Sequence, residues 1–89
     1  MNELGFIKYL KNNFTISLEI RNDYTDKLEN IYFYDDDYYY AIATPHSGNN
    51  YKYLTRKNSQ ITFDRWSNCE EEYFFDNYKQ IIDFLRGVN

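Results

Sequence analysis

Eighty-nine residues amount to one compact domain spanning 1–89, and a chain this short buries only roughly 60% of its unfolded surface, which leaves little room for an enclosed active site. An apolar fraction of 43% with 21% aromatics excludes a disordered chain, and no apolar run approaches a membrane span. Fourteen acids against ten bases give a net charge of −4, which disfavours direct contact with nucleic-acid phosphates and suits a basic partner.

The first element is predicted from Asn2 to about Asn12, where Leu4, Ile7 and Leu10, with Phe6, recur at helical spacing. Glu3 near its start and Lys8 and Lys11 further on complement the helix dipole, and Asn12-Asn13 is a stop. Phe14 to Arg21 then alternates strictly: Phe14, Ile16, Leu18 and Ile20 are predicted to face the core, with Thr15, Ser17, Glu19 and Arg21 opposite. The polar stretch Asn22 to Lys27 reads as a loop. Asn30 to Tyr34 and Tyr38 to Thr44 read as strands of a hairpin turned by Asp35-Asp36-Asp37, because aspartate side chains bond to nearby backbone in turns. Pro45 to Asn50 gathers the strongest breakers and is a loop.

A second hairpin is expected from Tyr51 to Thr55 and Gln60 to Trp66, around Arg56-Lys57-Asn58-Ser59. The last segment, Glu70 to Arg86, is expected to be helical. Phe74, Tyr78, Ile81 and Leu85 form its stripe, widened by Phe75 and Ile82. Ser67 or Asn68 would cap it through Glu70 or Glu71 three residues on, and Gly87 would close it. The fold expected is α+β: an N-terminal helix, a four- to five-stranded antiparallel β-sheet and a C-terminal helix. Both helices cover one face, and tyrosines line the other.

Eleven tyrosines exceed what so small a core holds with its hydroxyls satisfied, so many must lie half-wet, as they do at interfaces or simply on strands. Charge is also segregated. Residues 29–45 carry Glu29, Asp35, Asp36 and Asp37 with no Lys or Arg, and residues 46–57 carry Lys52, Arg56 and Lys57 with no acid. The basic stretch is read either as a partner-steering edge or as protection of an edge strand.

Two acidic runs are the candidate contacts: Asp35, Asp36 and Asp37 beside Tyr38, and Glu70, Glu71 and Glu72 with Asp76. Each also has a structural explanation, as a solvated turn or as dipole-compensating residues of a helix start. The turn lacks the alternating ligands and central glycine of a calcium loop, so no metal is expected. Neither a phosphate-cradling loop nor a paired His/Cys spacing is present, so no cofactor is expected. His46 and Cys69 are single residues of their types, too few for a legible catalytic constellation, and the chain reads as a non-enzyme. A lone cysteine and the lack of a signal-like N-terminus point to the cytoplasm.

The layout resembles the small acidic type II-A anti-CRISPR proteins of Gram-positive phages. The matching stretches are the opening helix with Asn13-Phe14-Thr15-Ile16-Ser17-Leu18, the strands around Asp35-Asp36-Asp37-Tyr38, and Trp66 before Glu70-Glu71-Glu72-Tyr73-Phe74-Phe75-Asp76-Asn77. The resemblance implies an inhibitor that presents carboxylates to a CRISPR effector in place of DNA. Asp35–Asp37 and Glu70–Glu72 then meet cations that otherwise read or clamp the duplex. Alternatives are an immunity-type protein neutralising a toxin, or a phage accessory protein pairing as a homodimer through its tyrosine face. The chain itself is a monomer or a homodimer on these grounds.

Overall fold

A computed structural model describes residues 2–44, 52–59 and 71–87. Helix α1 (Glu3–Asn13) leads into strands β1 (Thr15–Arg21), β2 (Leu28–Tyr34), β3 (Tyr39–Ala43), β4 (Lys52–Lys57) and β5 (Glu71–Phe75), and helix α2 (Tyr78–Leu85) follows. The strands lie side by side in chain order, each antiparallel to the next. The fold is α+β, with the helix, five-stranded sheet and helix that the pattern predicts. Among the described residues no helix is long and apolar enough to cross a membrane.

The Asn2 side chain starts α1 by accepting from the Gly5 N–H at 2.9 Å, and Glu3 and Lys11 lie in its first and last turns. Phe6, Ile7 and Leu10 are buried, whereas Leu4 is 74% exposed. At about 100° per residue, the first three fall within about 100° of one another, and Leu4 lies about 110° from their centre. Including Phe6 therefore turns the buried stripe away from Leu4, contrary to the predicted set.

The strict alternation expected of Phe14 to Arg21 is interrupted. Ile16 pairs with Phe33, but Leu18 pairs with Tyr32, so Ser17 forms a bulge, its hydroxyl donating to the Tyr32 carbonyl at 3.1 Å. A one-residue insertion flips every later side chain. Phe14 and Ile16 pack on the helix-covered core, while Leu18 and Ile20 turn to the other face, where Ile20 meets Tyr32 and Ala41. Glu19 takes the place expected for an apolar residue and reaches Arg21 at 3.6 Å, and Arg21 also binds Glu3 of α1 at 2.6 Å.

The C-terminal region departs most from expectation. Glu71–Phe75 is not the first turn of a helix but strand β5, paired with β4 from Arg56↔Glu71 to Lys52↔Phe75. Helix α2 begins only after Asn77, whose side chain accepts from the Gln80 N–H at 3.0 Å, while Gln80 accepts from the Asp76 N–H at 2.8 Å. The reciprocal capping expected further upstream is thus built from Asn77 and Gln80. Phe74 leaves the predicted stripe, is 62% exposed and meets the Tyr53 ring at a tilt, centroids 5.2 Å apart, on the face away from the helices. Gly87 closes α2 with φ +73°, as predicted. Strand β4 extends through Lys57 and has neighbours on both sides, so its lysines and arginine do not protect a sheet edge. The predicted loop Pro45–Asn50 and strand Gln60–Trp66 lie outside the described residues, as do the cap candidates Ser67 and Asn68.

One core joins Phe6, Ile7 and Leu10 of α1 and Ile81 and Ile82 of α2 to Leu28, Ile31, Phe33, Tyr40, Ile42 and Leu54 of the sheet. Both helices therefore cover one face. Tyr32, Tyr34, Tyr39 and Tyr53 point to the other by strand alternation, while Tyr38, Tyr40 and Tyr73 join the helix side.

Candidate functional site

The β2–β3 connection is a side-chain-bonded turn. One Asp35 carboxylate oxygen accepts from the Asp37 and Tyr38 N–H groups at 2.9 Å each, and the Asp35 N–H donates to the Tyr38 carbonyl at 3.1 Å. These bonds account for aspartate at the first position. Asp36 and Asp37 stand exposed at the tip and form no ion pair with any described residue. Tyr34 and Tyr39 form a cross-strand pair behind them, ring centroids 5.3 Å apart, on the face away from the helices.

On the helix side of the same end of the sheet, Arg56 organises the second acidic run. Its Nε and one terminal nitrogen donate to the two Glu71 oxygens at 2.9 and 3.2 Å, a bidentate pair, and the Tyr73 hydroxyl donates to the same carboxylate at 2.9 Å. The guanidinium also lies 4.4 Å from the Tyr38 ring centre, 5.0 Å from Phe84 and 5.6 Å from Tyr73, within reach of attraction to a ring face. The Arg56 hydrogen bond holds the Glu71 carboxyl below its ordinary range, and the Glu71 hydrogen bond raises Tyr73 and Arg56. Burial pushes the Tyr40 phenol up to about 12, helped by the Asp35 charge and opposed by Arg56. Tyr40, Tyr73 and Phe84 are not among the candidate contacts, and Arg56 enters there only as part of the basic stretch. Two residues after buried Leu54, alternation turns Arg56 inward, and an inward arginine requires a carboxylate; that was the available signal.

The predicted contact residues thus separate into distinct environments. Asp36 and Asp37 are exposed at the turn, Asp35 is engaged by the backbone, and Tyr38 carries Arg56 on its ring. Glu71 is paired with Arg56, whereas Glu72, the next residue, is exposed on the opposite face, across from Thr55. Asp76 is exposed beyond the far end of β5, roughly 16 Å along the strand from Glu71. The start of β5 and the β2–β3 turn share one end of the sheet, since Tyr39 pairs with Lys57 and Arg56 with Glu71. Of the basic stretch, Lys52 lies over Tyr78 at 4.5 Å and Arg56 is bound to Glu71. Lys57 alone of the three turns to the other face, opposite Tyr39. Glu70, His46 and Cys69 lie outside the described residues.

Among the described residues no three of His, Cys, Asp and Glu gather where they could hold a metal ion. Comparison with protein families, with curated proteins and with solved structures finds no match.

Proposed function

We propose that this chain acts by binding a basic nucleic-acid-binding protein, as an anti-CRISPR-type inhibitor that offers carboxylates to a CRISPR effector where DNA would otherwise sit. The observation that carries the reading is the exposed Asp36–Asp37 pair at the hairpin tip, without a cationic partner among the described residues. Two adjacent carboxylates without a counter-charge repel each other, and an arriving cation relieves that repulsion. Glu72, exposed near the same end of the sheet, extends the acidic surface, and the half-buried Tyr34–Tyr39 pair offers amphipathic rings beside it. Asp35 and Glu71 contribute less to this reading, because their carboxylates already accept internal hydrogen bonds.

The test is capture of a purified CRISPR effector at low and at high salt by the wild-type chain and by the Asp36→Asn, Asp37→Asn double variant. Salt-sensitive capture, weakened roughly tenfold in the double variant, is expected from the loss of two charge contacts. Undiminished capture by the double variant would show that these carboxylates are not the contact. Failure of the wild-type chain to capture the effector, or recovery of its own copy alone, would overturn the anti-CRISPR reading.

A further inference from the structure

We draw no further inference here: the strongest candidate, the apolar face of the sheet turned away from the helices with Leu18, Tyr34, Tyr39 and Phe74, carries none because nothing in the structure shows what covers it.

Discussion

The two acidic runs look alike as sequence, three carboxylates in a row beside an aromatic residue, yet the fold puts them to opposite uses. In the Asp35–Asp37 run one carboxylate closes a turn and the next two face solvent. In the second run Glu71 is clamped by Arg56 and by the Tyr73 hydroxyl, and strand alternation sends Glu72 to the other side of the sheet. A turn can present consecutive side chains outward together, whereas a strand separates neighbours by face. Adjacent acids therefore make a joint anionic surface only in the turn.

The largest effect is expected from breaking the clamp at its centre. Arg56→Ala removes the bidentate pair and three ring contacts, and leaves Glu71 partly buried without its cation. A loss of about 2–4 kcal/mol in urea unfolding is expected, moderated because both side chains retain some solvent. A loss below the range for an exposed pair would mean that the cluster contributes little and that the two runs differ less than their geometry indicates.

Glu71→Gln should cost less, about 1–2 kcal/mol near neutral pH, because the amide still accepts one hydrogen bond from Arg56. Its pH dependence is the sharper readout. The folded carboxyl is held below its ordinary value, so its contribution is present above the unfolded value of about 4.3 and is lost as pH falls through the depressed one. The stability gap between wild type and Glu71→Gln should therefore close in acid. A gap independent of pH would assign the loss to packing rather than to the ion pair.

At the alkaline end Tyr40 provides the corresponding test. Its folded pKa is raised from 10.0 to about 12, so the stability it contributes is intact below about pH 10 and is lost as pH rises towards and through 12. Titration of phenolate absorbance should show a late-ionising tyrosine that Tyr40→Phe abolishes. Ionisation of every tyrosine near pH 10 would contradict the burial of this phenol beside Asp35.

How much of this was legible follows from where one physical rule acted alone. The Asp35 turn and Gly87 were readable because each rests on a local bond or backbone preference. The face of β1 was not, because a bulge at Ser17 depends on how β1 registers against β2 and leaves no mark in the alternation itself. The segment from Glu71 to Phe75 was ambiguous in kind. Phe74, Tyr78, Ile81 and Leu85 satisfy a helical stripe, while Glu71, Tyr73 and Phe75 satisfy a strand period. Pairing to β4 through Arg56 decides for the strand, and Asn77 with Gln80 three residues on marks the true helix start. For the site, exposure of Asp36 and Asp37 was readable from the turn, but the loss of Glu71 to Arg56 required knowing that β4 and β5 are neighbours.

The smallest effects lie within the turn, and they test whether its three aspartates have separate roles. Asp35→Ala removes the acceptor of two backbone N–H groups and should destabilise by about 1 kcal/mol, the usual effect of losing such a side-chain cap. Asp36→Asn and Asp37→Asn remove exposed charges without touching those bonds, so the melting temperature should stay level or rise slightly as repulsion is relieved. The same two substitutions are the ones expected to weaken effector capture, which would separate binding from folding within three consecutive residues. If Asp36→Asn and Asp37→Asn destabilise the chain as much as Asp35→Ala does, those carboxylates help to build the turn. Their exposure would then no longer argue for a partner, because the turn's own stability would account for all three acids.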